Sequence, residues 1–425
     1  MNIRLYNARV LTMEHDKDVF FGEVHIKDNK IVRVTDGIDS SETKWDREID
    51  CEQNLLLPGF KNAHTHSAMT FLRSFADDLP LNAWLNEKVF PMEAKLTDRD
   101  AYVLNKLAIL EYLSGGITAV FDMYIFPDAM ARACTDLGMK CVLVSGLNDF
   151  TSSPEQMEEE YLRYNHMNSL VSYCLGFHAE YTCKRELLTR VAALSQKYKS
   201  PVYAHISETE QEVNSCMEKY GMTPVAFLDS LGMFEYGGGG YHLVHTTGEE
   251  MEIIKEKKLF VITNPASNLK LASGIAPIAR YLENEIPVAI GTDGPASNNC
   301  LDMFREMFLV SGLSKVREKD ASATEAKKVL KMACVNGALA MGLTDADVLA
   351  PGKKADLILL DLKMPNMQPI HNIPKNIVYS GNKSNVKMTM IEGNILYQNG
   401  EYKLGDSAED IYREVAEVVD RLTRG

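Results

Sequence analysis

Short apolar runs recur through the middle of this chain with helix-patterned segments between them, and that rhythm restricts the fold more than any single motif. The runs are Leu55–Phe60, Thr118–Met123, Lys140–Ser145, Ser172–Phe177, Val202–Ile206, Tyr241–His245, Phe260–Thr263 and Val288–Gly291. Asp98–Leu113, Glu186–Lys197 and Glu249–Lys257, which lie between them, carry apolar residues at helical spacing. Strands that alternate with helices build a parallel sheet, because a parallel pair needs a crossover long enough to hold a helix. Eight such units over about 250 residues predict an α/β fold of the closed (β/α)8 barrel type rather than an open doubly wound sheet. No Gly-x-Gly-x-x-Gly follows the first run, so the fingerprint of a dinucleotide fold is missing. Gly237–Gly240 precedes a run instead of joining strand to helix, and reads as a flexible loop rather than a phosphate cradle.

The two ends have a different texture. Ile3–Met13, Phe20–Ile26 and Lys30–Val34 are short strand patterns broken by Asp-Asn and Asp-Gly turns. Ala355–Asp361 and Met388–Tyr397 repeat that texture late in the chain, the second split by Glu392-Gly393-Asn394. The expected organisation is a small β-sandwich assembled from residues 1–57 and 350–405 around a barrel over residues 58–349. Ile411, Val415, Val418, Val419 and Leu422 are spaced as on a helix with Ser407 as N-cap, which predicts a C-terminal helix over residues 406–425.

Charge narrows the partners. A formal net charge of −14 on 425 residues argues against nucleic acid and anionic membrane, both polyanions, and leaves a small molecule as the expected partner. The eight cysteines form no C-x-x-C pair and read as reduced thiols. Met1–Tyr6 lacks the charged and apolar regions of a signal peptide, and no apolar run approaches the roughly 20 residues of a membrane span. A cytoplasmic protein is the expectation.

Reactive side chains of a barrel sit at the C-terminal ends of its strands. Here those ends carry His64-Thr65-His66, His178-Ala179-Glu180, His205-Ile206-Ser207-Glu208, His245, and Asp293 within Gly291-Thr292-Asp293-Gly294. Five of the ten histidines occupy such positions. Each has a plainer reading: His205 as a core histidine bonded to a carbonyl, Asp293 as a helix N-cap, Glu208 as a solvated loop carboxylate. His242, three residues before His245, is assigned to the opposite strand face and a structural role. His64 and His66 alternate onto one face of an extended segment, which makes half of a divalent-metal site. Three imidazoles and a carboxylate suit Zn²⁺, with Fe²⁺ or Mn²⁺ possible, one ion per subunit, and leave a position for water whose pKa falls toward about 7. Asp293 can then accept that water's proton, Glu208 can pass it to a ring nitrogen or leaving group, and His245 can hydrogen-bond the attacking oxygen. The reaction class is metal-activated hydrolysis.

On Pro58-Gly59-Phe60-Lys61-Asn62-Ala63-His64-Thr65-His66, His205-Ile206-Ser207-Glu208, His245 and Gly291-Thr292-Asp293-Gly294 the chain resembles the amidohydrolase superfamily, in its cytosine-deaminase-like branch. Phe90-Pro91-Met92-Glu93, Asn264 to Leu271 and Ala296-Ser297-Asn298-Asn299 are similar to the deaminases of 5′-methylthioadenosine and S-adenosylhomocysteine, and Pro351 to Leu357 is similar to the superfamily's composite sandwich. The resemblance implies that His64, His66, His205 and Asp293 bind one metal, with Glu208 and His245 catalytic. It further implies that Glu93 holds ribose hydroxyls, that His178 contacts the purine, that Trp84 walls the pocket, and that the protein is a homo-oligomer. The implied reaction is hydrolytic deamination of an adenosine-type nucleoside (5′-methylthioadenosine, 5′-deoxyadenosine, adenosine or S-adenosylhomocysteine) to the inosine analogue and ammonia.

One segment departs from that pattern. Relatives that accept homocysteine carry arginines after the third strand, whereas here Ser145 to Phe150 is followed by the acidic stretch from Glu155 to Glu160, and Arg163 is the first arginine. A neutral or small 5′ group is therefore expected over S-adenosylhomocysteine. Two other readings compete: hydrolysis of another heterocycle such as an s-triazine, guanine or a pterin, for which a ribose-binding Glu93 is superfluous, and a catalytically silent scaffold, which the intact set of ligands disfavours.

Overall fold

The computed structural model describes residues 1–15, 17–39, 44–79 and 83–424. Five strands come first: β1 (Asn2–Val10), β2 (Phe20–Lys27), β3 (Lys30–Asp36), β4 (Arg47–Asp50) and β5 (Leu55–Pro58). The barrel follows with β6 (Phe60–Thr65), β7 (Ile117–Met123), β8 (Lys140–Val144), β9 (Val171–Ala179), β10 (Val202–Ile206), β11 (Gly238–His242), β12 (Phe260–Thr263) and β13 (Val288–Ile290). Then come β14 (Leu357–Leu360), β15 (Val386–Ile391), β16 (Asn394–Gln398) and β17 (Glu401–Tyr402).

Each barrel strand pairs in parallel with the next in chain order, and helices lie between them. The residues of β7, β8 and β10 are all buried, as strands covered on both faces must be, and hence they read as unbroken apolar runs. Phe121, Met123, Val142, Val144, Tyr203, Tyr241 and Ile262 fill the interior, so the barrel is packed and its chemistry is confined to the strand ends. Between β13 and β6 the seam is closed by Asp293 N–H donating to His64 O (3.0 Å), Thr292 N–H to Asn62 Oδ1 (2.9 Å) and Asn62 Nδ2 to Thr292 Oγ1 (2.7 Å).

Two expectations about the strands are corrected. The run Leu55–Phe60 is not one barrel strand: Leu55–Pro58 pairs with β1 and β14 in the terminal sheet, on the sandwich side of the boundary expected at residue 57, and the first barrel strand begins at Phe60. Gly238–Gly240 is not a loop but the buried first part of β11, hydrogen-bonded to β10 and β12. A Cβ on Gly239 would stand 2.4 Å from the Phe260 carbonyl oxygen and 2.8 Å from the Tyr203 ring, so this strand has room only for backbone. Gly239→Ala is expected to destabilise the fold by about 1–3 kcal/mol, read as a lower denaturation midpoint; an unchanged midpoint would contradict the close packing.

The terminal strands form one continuous mixed sheet in the order β17-β16-β15-β14-β5-β1-β2-β3, with β4 against β1. Strands from both ends of the chain share a core that includes Ile3, Leu5, Val10, Val24, Ile26, Leu357, Leu359, Met388 and Met390. Lys140, buried at the start of β8, ties the barrel to this sheet through Asp356 and through Glu392 at 3.6 Å. The C-terminal helix, Ala408–Arg424, starts after Ser407, whose Oγ accepts from Asp410 N–H, and buries Ile411, Val418 and Leu422; Gly425 lies outside the described residues. No helix among the described residues is long and apolar enough to cross a membrane.

Candidate active site

β6 presents His64 and His66 on one face, with ring centroids 4.8 Å apart, while Thr65 between them turns away to the Tyr112 hydroxyl at 2.9 Å. His205 comes from β10, and Asp293 follows β13 with a left-handed backbone (φ 61°). The candidate ligand atoms of His64, His66, His205 and Asp293 all lie within 4.8 Å of one another. Gly291 permits the approach of the last strand, since a Cβ there would stand 2.7 Å from that of His64. His66 Nδ1 donates to Met123 O at 2.6 Å and His205 Nδ1 to His178 O at 2.7 Å, which leaves both Nε2 atoms facing the cluster. Asp293 Oδ2 accepts from Ser267 Oγ (2.6 Å) and Ser297 Oγ (2.8 Å), and Oδ1 from Gly294 N–H (2.7 Å).

These four residues fit a cation. Neither ring nitrogen of the fully buried His64 has a hydrogen-bond partner, an arrangement that a metal–ligand bond would satisfy. Burial lowers His64 to about 3 and His205 well below the usual imidazole range, so both stay neutral, as ligands must. Burial opposes charge on His66 as well, yet the Asp293 carboxylate 3.2 Å from its Nε2 raises it to about 9. Asp293 thus calls for positive charge at this point.

Glu208 is buried beside the cluster. Its Oε1 accepts from Ser273 Oγ at 3.0 Å, and its Oε2 lies 3.8 Å from His242 Nε2. His242 was expected to face away and His245 to face the site; the structure reverses them. His242 lines the cavity, its Nδ1 bonded to Asn268 Oδ1 at 2.7 Å, whereas half-buried His245 donates from Nε2 to Ser273 O at 2.7 Å and is not part of the lining. The physical reason lies in the glycines. β11 begins at Gly238 and ends at His242, where His242 and Leu243 take φ of 72° and 44°, so period-2 alternation cannot be carried forward to residue 245. Ser267, Asn268, Ser273 and Ser297, which hold Asp293, His242 and Glu208, had no assigned role from sequence, although Ser267, Asn268 and Ser297 lie inside the motifs that carried the resemblance.

A cavity of about 420 Å³ opens above these groups. Trp84, Glu93, His178, Tyr124, Phe150 and Leu271 line it with His66, His205, Glu208, His242 and Asp293. Trp84 is buried in the turn Trp84–Val89, and Glu93 ends the short helix Phe90–Glu93. Burial pushes the Glu93 carboxyl up to about 7, partly offset by the Tyr124 hydroxyl beside it. His178 bonds through Nδ1 to Thr182 Oγ1 at 3.1 Å, and burial lowers it to about 4, so it meets a ligand as neutral imidazole.

The amidohydrolase family model matches residues 55–396, which takes in every group just described. The chain belongs to the amidohydrolase family. This amidohydrolase is 39% identical over 403 residues, 94% of either chain, to the 5-methylthioadenosine/S-adenosylhomocysteine deaminase of Caldicellulosiruptor saccharolyticus. It is 39% identical to the 5′-deoxyadenosine deaminase of Methanothermobacter thermautotrophicus over 90% of this chain and 91% of that one. The crystal structure of an adenosine deaminase from Xanthomonas campestris with bound zinc superposes with a TM-score of 0.93 at 31% identity, covering 100% of this chain and 98% of that one. Family membership and the cluster of three imidazoles and a carboxylate make this a divalent-metal site.

Proposed function

We propose that this amidohydrolase deaminates adenosine-type nucleosides by hydrolysis, with zinc as its metal held by His64, His66, His205 and Asp293. The observation that carries the reading is the convergence of those four residues, of which His66, His205 and Asp293 line one cavity together with Glu208 and His242. When bound there, a divalent cation supplies a Lewis acid that makes water acidic at neutral pH. The remaining steps belong to side chains. Asp293 takes the proton of the attacking water, and Glu208, its Oε1 held by Ser273, carries a proton on Oε2 to the purine nitrogen next to the amino-bearing carbon. His242, fixed by Asn268 through Nδ1, directs Nε2 at the incoming oxygen. The proton taken by Asp293 passes to the amine, the carbon–nitrogen bond breaks to release ammonia, and the hydroxyl proton of the adduct returns to Glu208 as the new carbonyl forms. Trp84 walls the base, neutral His178 bonds it, and Glu93 accepts from the ribose diol, for which an acceptor-only carboxylate is suited.

The test is ammonia release across a panel of nucleosides and free bases, with the metal content of the active protein measured alongside. Glu93→Ala is expected to lower kcat/KM for nucleosides about 10- to 100-fold and to change free bases little; equal losses would favour a different heterocycle. Because burial holds Glu93 at about 7, protonation as pH falls turns one of its two acceptor oxygens into a donor and weakens its grip on the diol. Nucleoside kcat/KM should therefore decline on the acid side of that value, a limb that Glu93→Gln lacks.

The 5′ end of the substrate follows from charge. Among the described residues the cavity lining holds Glu93, Glu208 and Asp293 but no Lys or Arg. Lys270, next to the lining residue Leu271, is committed to Asp77, Asn299 and the Ala296 carbonyl, and Arg163 pairs with Asp128 at 3.0 Å. An amino-acid carboxylate on the 5′ substituent finds no partner there, whereas a methylthio or methyl group meets Phe150, Leu271 and their apolar neighbours. Methylthioadenosine or 5′-deoxyadenosine should exceed S-adenosylhomocysteine in kcat/KM by about 10- to 100-fold; the reverse order would refute this part.

A further inference from the structure

Two carboxyl groups that the chemistry above does not use meet beneath the Glu208 loop. Glu180 follows directly on β9 and opens the turn Glu180–Thr182; Glu212 sits in the first turn of the helix Glu210–Tyr220 that packs against it. Glu180 is 1% exposed and Glu212 6%. Glu212 accepts backbone N–H groups from Ser207 (2.5 Å), Glu208 (2.8 Å) and Thr209 (3.5 Å), and so clamps the segment that carries Glu208. Three amide donors converging on one carboxyl favour its ionised form, against burial and the charge of Glu208, which raise it. Glu180 is held differently: backbone N–H groups of Glu180 and Tyr181 reach its carboxyl, its Oε2 is buried without a partner, and its side chain also meets the Glu212 carboxyl. Two carboxylates in contact repel, and only a proton between them turns the contact into a hydrogen bond.

We propose that Glu180 is a positioning residue, held as the neutral acid and donating its proton to Glu212, which fixes the backbone of Glu208 relative to the end of β9. The inference rests on the reading of Glu208 as the proton carrier. Among the described residues no cation forms a salt bridge with the pair: Tyr181, Cys216 and Glu208 are ionisable neighbours, and Lys219, whose charge reaches Glu180, is itself exposed over the Tyr220 ring. Burial, then the charge of Glu212, raises Glu180 to about 9. Burial and the charge of Glu208 raise Glu212 to about 7, so between the two values the pair carries one negative charge and the clamp is closed; above the higher one, the proton leaves, the carboxylates separate, and Glu208 shifts with Glu212. The same contact joins β9, which bears His178, to the Glu208 loop.

The test compares wild type with Glu180→Gln and Glu180→Ala as metal-loaded full-length protein. Wild-type kcat should fall on the alkaline side. Glu180→Gln keeps a donor to Glu212 that cannot ionise; it should retain neutral-pH kcat to within about fivefold and lose the alkaline limb. Glu180→Ala should lower kcat further than Gln at every pH. The infrared difference spectrum, wild type minus Glu180→Gln at neutral pH, should contain the carbonyl band of a protonated carboxyl group, and the band should vanish at alkaline pH. An alkaline limb common to wild type and Glu180→Gln, or a difference spectrum without that band, overturns the proposal. Absence of deamination across all nucleosides would instead refute the proposed reaction, and the infrared band would still decide where the proton is.

Discussion

Glu208→Gln is expected to lower kcat by about 10²- to 10⁴-fold with the metal content unchanged. Glutamine matches the shape of glutamate and keeps an oxygen for Ser273 Oγ, which donates to Oε1 at 3.0 Å, so the backbone clamped by Glu212 has no reason to move. What is lost, on the proposed mechanism, is the proton that Oε2 carries to the ring nitrogen. Glu208 is not one of the four clustered ligand residues, so elemental analysis of the purified variant separates a proton-transfer defect from loss of the ion. Activity within a few-fold of wild type would remove Glu208 from the reaction.

His242→Asn should reduce kcat by about 10²- to 10³-fold, while His245→Asn leaves it within about twofold. The pair discriminates because the two histidines are three residues apart and differ in where they point. His242 is 1% exposed, is fixed through Nδ1 by Asn268 and presents Nε2 3.8 Å from Glu208, whereas His245 is spent on the Ser273 carbonyl outside the cavity. Kinetics at saturating substrate, with metal content and circular dichroism as controls, give the answer. A larger loss at His245 than at His242 would mean that β11 ends three residues later than described.

Much of the fold was legible because barrel strands are buried on both faces. Runs such as Thr118–Met123 and Val202–Ile206 stand out against amphipathic helices, and the ends of such runs are where reactive side chains collect. His64 and His66 were legible as a pair from strand alternation, and His205 and Asp293 from their places after later runs. Two strands were misplaced for different reasons. Leu55–Pro58 is apolar whether it enters a barrel or a sheet, and only its pairing with β1 and β14 reveals which. Gly238–Gly240 has no side chains from which a pattern can be read, and a strand made of glycine looks like a loop. That second ambiguity carried directly into the site, since moving the strand by three residues exchanges His242 for His245. The residues that hold the reactive groups, Ser267, Asn268, Ser273 and Ser297, were silent for another reason: a serine or asparagine signals nothing until its partner across the barrel is known.

The seam between β13 and β6 has a consequence for how the protein comes into being. Asp293 bonds through its backbone to His64, so the carboxylate and the first imidazole of the cluster meet only where the circle of strands closes. A chain still being synthesised can display His64, His66 and His205 long before Asp293 has left the ribosome. Three imidazoles without their counter-charge make a weaker and less selective cradle. On the proposed ligand set, a chain that stops short of β13 lacks the cluster's one carboxylate, so the complete cradle exists only in the closed barrel.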